Sequence, residues 1–197
     1  MAHAQLQSSF VTYADYQTWP DFPRYELFSG EVYAMAPAPS INHQRLAGDI
    51  YRQASNTLKN KSCQVFIAPV DVLFPQPNET DEQISTVLQP DVFIVCDAHK
   101  VERQAVRGAP DWVVEVLSPG TAARDHIAKR RIYETAGVRE YWLVDPETRM
   151  LMIYQLQQGV YGKPEVQELI GTTPIGILPE IVIEWDEMLP PMAEDVV

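Results

Sequence analysis

Apolar and polar residues along this chain recur at two periods, and the changes of period mark its elements. Residues 24–28 and 31–36 alternate around Ser29-Gly30, which predicts a β-hairpin with a two-residue turn. Ser40 is placed to cap a helix running to about Lys59, in which Ile41, Leu46, Ile50, Ala54 and Leu58 recur at helical spacing. Upstream, Thr12 could cap a short helix, TYADYQTW, ended by Pro20, and residues 1–11 read as a flexible tail. Residues 64–68 and 71–74 predict two short strands broken near Pro69. Residues 75–89, with two prolines, Asn78 and three acidic residues, read as a polar loop, and residues 97–109 as another with a turn of helix.

Between residues 90 and 146 the pattern sharpens into three apolar runs, PDVFIV, DWVVEVLSP and EYWLVDP, with TAARDHIAKRRIYETAG between the last two. Residues 111–117 are Val-rich and apolar on both faces, as expected of a central strand. Thr121 is expected to cap a continuous helix to about Ala136, closed by Gly137 in the left-handed position. Residues 141–144 and 151–156 predict a hairpin through Asp145-Pro146-Glu147, residues 160–170 add a strand or two, and LPEIVIEWDEML predicts a short strand and one helical turn. With no repeat and no linker, residues 1–197 read as one α/β domain with a mixed sheet and additional hairpins.

Composition narrows the class. A chain of 197 residues suits one domain with a sizeable core, and 46% hydrophobic with 21% charged residues is ordinary for a globular protein. No apolar run approaches the roughly 18 residues of a membrane helix. The N-terminal MAHAQLQSSFVTY lacks a basic segment followed by a long apolar stretch, so neither a membrane association nor a signal peptide is expected. A formal net charge of −12 weighs against non-specific nucleic-acid binding, leaves room for an enzyme whose basic residues gather locally, and suits a cation site. Cys63 and Cys96 lie in strand-like runs without a CxxC spacing. They are expected to be reduced, buried thiols of a cytoplasmic protein rather than a disulfide or metal ligands.

Glu115 carries the main chemical clue, because a carboxylate inside VVEVL is costly to bury without a partner. If the strands bearing Asp91 and Glu115 are neighbours, both carboxylates face one Mg²⁺ or Mn²⁺ ion, which lowers the pKa of bound water and screens a phosphodiester under attack. The competing reading is a strand-end Asp91 and a Glu115 paired with a buried Arg or Lys. Asp125, Lys129 and Tyr133 share one helix face. Turned toward the sheet, Lys129 would reach Glu115 and a bound phosphate; turned outward, it is half of a solvated Asp–Lys pair. Lys129, Arg130 and Arg131, with Arg124 one turn earlier, form the densest basic patch. His43 and Glu26 are further candidates whose ordinary roles are structural. No P-loop, dinucleotide fingerprint, nucleophile elbow or zinc-ligand spacing is present.

Taken in order, YELFSGEVYAMAP, His43 in a long helix, QPDVFIV, VVEVLSPGT, D-x-x-x-K-x-x-x-Y and GVREYWLVDP resemble the Uma-type restriction endonuclease family, expanded in cyanobacteria and part of the PD-(D/E)XK nuclease superfamily. The resemblance runs from about Tyr13 to Leu189. It implies a restriction-endonuclease-like core, a mixed sheet flanked by helices, and Mg²⁺-dependent hydrolysis of DNA. Asp91 matches the motif aspartate after Pro90, Glu115 the acidic residue of the second strand, and the Val116 carbonyl the third metal ligand. Leu117 stands where the superfamily has its lysine, and the resemblance implies that Lys129 replaces it from the following helix. Glu26 and His43 match recurrent family positions at the rim of the site, and Asp125 and Tyr133 are accessory candidates.

The expectation is therefore a metal-dependent endonuclease. Asp91 and Glu115 hold Mg²⁺ or Mn²⁺, Lys129 positions water or phosphate, and DNA is the substrate. A homodimer is expected because two sites related by a two-fold axis cut both strands of a duplex, with LMIYQL (151–156) as its interface. Two other classes stay open: a nuclease fold that has lost turnover and binds nucleic acid or protein, and a structural protein with buried ion pairs.

Overall fold

A computed structural model of the chain describes residues 10–20, 22–35, 39–186 and 188–189. The single turn α1 (Tyr13–Tyr16) is closed by a capping box between Thr12 and Asp15. The hairpin β1 (Tyr25–Phe28) and β2 (Glu31–Ala34) forms as the pattern predicts. Ser29 and Gly30 have φ of 50° and 83°, as a tight hairpin turn demands, and a Cβ on Gly30 would run into the Phe10 ring. Ala36, expected at the hairpin's end, lies outside the described residues. Val11, assigned to the tail, is buried and donates its N–H to the Gly30 carbonyl at 3.0 Å.

Helix α2 (Ile41–Leu58) is capped by Ser40, whose side chain accepts from the His43 N–H at 3.1 Å. Leu46, Ile50, Ala54 and Leu58 are buried, but Ile41 is 73% exposed. About two and a half turns separate Ile41 from Ile50, so the two face opposite sides, and His43 takes the buried place in the first turn.

The strands β3 (Gln64–Ile67), β4 (Asp71–Leu73), β5 (Val87–Leu88), β6 (Val92–Val95), β7 (Ala105–Arg107) and β8 (Trp112–Val116) follow. Helices α3 (Ala122–Arg124) and α4 (Arg130–Ala136) lie between β8 and β9 (Glu140–Asp145). The chain continues through β10 (Met150–Gln157), β11 (Val160–Tyr161), β12 (Glu165–Glu168), β13 (Thr172–Ile175) and β14 (Leu178–Glu184). The polar loop expected at 75–89 is corrected: it holds a 3₁₀ turn at Asp81–Gln83 and then β5, with Ile84, Val87 and Leu88 fully buried. Strand β7 likewise interrupts the loop expected at 97–109. Each run is too short for a period to register, and pairing with β4, not propensity, makes them strands. After β14 no helix is assigned among the described residues.

A seven-stranded mixed sheet runs β11-β10-β9-β8-β6-β3, with β12 also on β10. A five-stranded sheet runs β2-β1-β5-β4-β7, and β13 pairs with β14. Strand β8 is central, antiparallel to β6 and parallel to β9. On one face of the large sheet, Trp112, Val114, Trp142 and Val144 pack with Leu46 and Ile50 of α2 and with Ile181 and Ile183 of β14. On the other, Val113, Leu117, Tyr141 and Leu143 pack with Tyr133 of α4 and with Phe28 and Val72 of the smaller sheet. The site lies in this second layer.

Of the segment expected at a dimer interface, Leu151, Ile153 and Tyr154 are buried within the chain itself, Met152 and Leu156 are half-buried and Gln155 is exposed. One further expectation is overturned. Cys63 and Cys96 are not reduced thiols but a disulfide, formed just beyond the Gln64–Val95 pair where β3 begins and β6 ends. Sequence spacing carries no strand register, so it could not bring them together, and the cysteine argument for a cytoplasmic location lapses with it. No described helix is long and apolar enough to cross a membrane.

Candidate active site

Alternation along β8 sets the geometry. Trp112, Val114 and Val116 turn toward α2, so Glu115 turns with Val113 and Leu117 toward the layer holding α4. The register that pairs Val92 with Val114 carries Asp91 alongside Glu115 one step further. Asp91 is held there from two sides: its Oδ2 accepts from the Val116 N–H at 2.8 Å and lies 3.1 Å from His43 Nε2. The buried His43 Nδ1 has no hydrogen-bond partner.

Parallel strands need a crossover, and residues 122–136 provide it between β8 and β9. The helix that follows Glu115 in sequence therefore lies over its face of the sheet. It is not the continuous α-helix expected. Asp125–Lys129 form a π-helical turn between α3 and α4, in which the Arg130 N–H reaches back to the Asp125 carbonyl. Such widened turns are rare and recur at functional sites. The Thr121 hydroxyl pairs with that of Ser118 at 2.9 Å instead of capping the helix. Gly137 closes α4 in the left-handed conformation, as predicted.

Asp125, Lys129 and Tyr133 are all buried, which excludes the solvated-face reading of this lysine. Lys129 Nζ lies 3.0 Å from Glu115 Oε1, 2.9 Å from Glu26 Oε1 and 3.6 Å from Asp125 Oδ1. The Tyr133 hydroxyl donates to the same Glu115 oxygen at 2.6 Å. Glu26 stands inside the site rather than at its rim: it is 3% exposed, accepts from the Gln89 N–H at 3.0 Å, and lies 3.9 Å from Arg124.

Burial pushes the Glu115 carboxyl well above its usual range. Lys129 pulls it back, while Asp91, Asp125 and Glu26 push it higher. Burial raises Asp125 too, against the pull of Lys129. For Lys129, burial disfavours the charge, but Glu115, Glu26 and Asp125 together hold the ammonium well above its usual range. Burial and Glu115 keep Tyr133 protonated as a donor. His43 is raised despite its burial, chiefly by its hydrogen bond to Asp91.

The basic patch read from the sequence does not form one surface. Lys129 turns inward. Arg124 lies over the Tyr33 and Phe28 rings, 4.8 and 5.8 Å from their centroids, and Arg130 lies over Tyr154 at 5.7 Å. Sequence reading missed Gln89 and the placement of Arg124. Gln89 immediately precedes the Pro90-Asp91 pair, and its backbone holds Glu26, but no side-chain pattern marks that role.

The donor set fits a hard divalent cation. Asp91, Glu115 and the Val116 carbonyl supply oxygen, the acids outnumber the buried lysine, and the buried Asp125 Oδ1 has no hydrogen-bond partner. Among the described residues no group of three or more His, Cys, Asp or Glu side chains is disposed to hold a metal alone. Two carboxylates completed by a main-chain carbonyl and water therefore remain the set to test.

Comparison with known proteins places this geometry in a family. An uncharacterized protein of Synechocystis sp. is 28% identical over 143 residues, 71% of each chain. The fold matches the crystal structure of a protein from Anabaena variabilis, described there as a putative nuclease belonging to DUF820. The TM-score is 0.70 at 19% identity, covering 90% of this chain and 97% of that one. The model of the Uma2 family, described as "Putative restriction endonuclease", matches residues 13–184, and the chain belongs to that family.

Proposed function

We propose that this protein is a metal-dependent endonuclease that hydrolyses DNA phosphodiester bonds. The observation that carries the reading is the approach of Lys129 Nζ to 3.0 Å from Glu115, from a helix, while Leu117 occupies the strand position two residues on. Asp91, Glu115 and the Val116 carbonyl would hold Mg²⁺ or Mn²⁺. When bound, that ion supplies Lewis-acid stabilisation of charge on the phosphate and the leaving oxygen.

The chain's own groups divide the rest. Lys129, held as an ammonium, is a donor to a non-bridging phosphate oxygen and cannot act as the base. Asp125, raised by burial, is the candidate acceptor of the proton lost by the attacking water, since a base works best when its pKa nears the working pH. Tyr133 fixes the Glu115 carboxylate, and His43 fixes Asp91. A two-fold dimer would present two such sites to a duplex.

A second reading has one observation in its favour. Lys129 is already enclosed by Glu26, Glu115 and Asp125, as in a purely structural ion network. Calorimetric titration with Mn²⁺ separates the two. The nuclease reading expects saturable binding by the wild type that Glu115→Ala abolishes, and Mn²⁺-dependent nicking of plasmid DNA that Lys129→Ala abolishes. Absence of Mn²⁺ binding, with and without DNA, would leave the structural network. Mn²⁺ and DNA binding without cleavage would leave a nuclease fold that only binds.

A further inference from the structure

Arg52, Arg107 and Arg139 each meet a carboxylate, at 2.9, 2.6 and 2.7 Å, although 61%, 30% and 49% of their side chains are exposed. Arg124 differs. Its side chain is only 16% exposed, yet its ion-pair contact, to Glu26 Oε2, is 3.9 Å, too long for a hydrogen bond. Among the described residues its guanidinium has no hydrogen-bond acceptor. Two rings hold the group in place: it lies 4.8 Å from the Tyr33 centroid and 5.8 Å from that of Phe28. Those rings pack edge to face at 5.0 Å, and the Tyr33 hydroxyl is anchored on Glu31 at 2.7 Å. Aromatic faces stabilise the charge but offer the five N–H donors no oxygen. The fork is not sealed off either, since none of its nitrogens is among the buried polar atoms that lack a partner.

We propose that Arg124 is a phosphate receptor at the mouth of the acidic site, holding a backbone phosphate of the substrate strand; the substrate class rests on the nuclease reading. Lys129 and Arg124 both approach the Glu26 carboxylate. Lys129 is enclosed by Glu26, Glu115 and Asp125, so Arg124 is the cation with donors to spare. A planar, pre-oriented fork matches the paired oxygens of a phosphodiester, the anion that DNA repeats at every step. The chain's formal net charge of −12 gives it no diffuse attraction for a polyanion, which leaves that work to placed contacts. The competing role is a brace, in which Arg124 only pins α3 to the β1–β2 hairpin.

The test is fluorescence anisotropy of the full chain with a short labelled DNA duplex in Ca²⁺, the DNA checked to be intact. Arg124→Ala is expected to weaken binding about tenfold or more, the scale of one charge-assisted contact. It should also reduce the slope of log affinity against log salt by about one. Arg124→Lys keeps the charge but not the fork, so it should restore the slope and not the affinity. Arg131→Ala, exposed on the segment that follows, should bind as the wild type does. Wild-type affinity in Arg124→Ala, or an equal loss in Arg131→Ala, would overturn the receptor. If Arg124→Ala does not fold, Arg124→Lys decides, and full affinity there would overturn it. DNA cleavage whose KM and kcat ignore Arg124→Ala would sink the receptor and keep the nuclease. A wild type that neither binds nor cuts DNA, but whose thermal midpoint rises with inorganic phosphate only while Arg124 is present, would do the reverse. Acetate acting as strongly as phosphate would overturn the phosphate assignment.

Discussion

Glu115 and Glu140 are both buried glutamates on adjacent strands of one sheet, and burial raises both carboxyls. They differ in company. Glu140 receives neutral donors, among them Trp142 Nε1 at 2.6 Å, Gly176 N at 3.1 Å and Ile177 N at 3.0 Å, and the last two tie β9 to the loop between β13 and β14. Glu115 faces an ammonium, a phenol and three like charges. A buried carboxylate satisfied by neutral amides is a brace. One set among surplus negative charge depends on the cation beside it.

The sharpest way to break the contrast is Lys129→Ala. It strands Glu26, Glu115 and Asp125 without their counter-ion, so urea denaturation should show a loss of about 3–5 kcal/mol in metal-free buffer. If these acids form a metal site, Mn²⁺ should restore part of that loss. Glu140→Gln should cost about 1–3 kcal/mol by the same measurement, because charge-assisted bonds become neutral ones, and should leave Mn²⁺ binding untouched. An effect on Mn²⁺ binding would collapse the distinction between the two glutamates.

Tyr133→Phe removes one donor from Glu115 and should cost about 1 kcal/mol, with cleavage falling further than stability predicts. The smallest effect concerns pH. A raised His43 contributes stability that is complete below its ordinary value of 6.5 and lost as pH rises through the folded value. Raised Glu115, Asp125 and Glu140 act in the same direction from lower pH, so metal-free thermal midpoints should decline as pH rises. His43→Asn should flatten only the limb above pH 6.5, a change that thermal melts across pH would resolve.

Much of this contrast was legible in the sequence. VVEVL announced a central strand with a costly acid, and the spacing of Asp125, Lys129 and Tyr133 announced one helix face. Glu140 went unread because it begins its run, where a polar residue looks like a strand end. Strands β5 and β7 escaped because tertiary pairing rather than local pattern creates them. The π turn has no residue signature, and the Cys63–Cys96 bond depends on a register that only the folded sheet defines. Gln89 was invisible because its main chain and its amide serve different neighbours.

The lysine's place on a helix has a mechanical consequence. An acid and a lysine two residues apart on one strand are spaced by covalent geometry and move together. Here their spacing is set by how the segment from α3 to α4 seats on the sheet, through Tyr133, Tyr141 and the Asp125 carbonyl. The Glu115–Lys129 pair is therefore an assembled joint rather than a fixed one. A shift of that segment along the sheet would part Lys129 from Glu115 while every rung of the β8 ladder stayed intact.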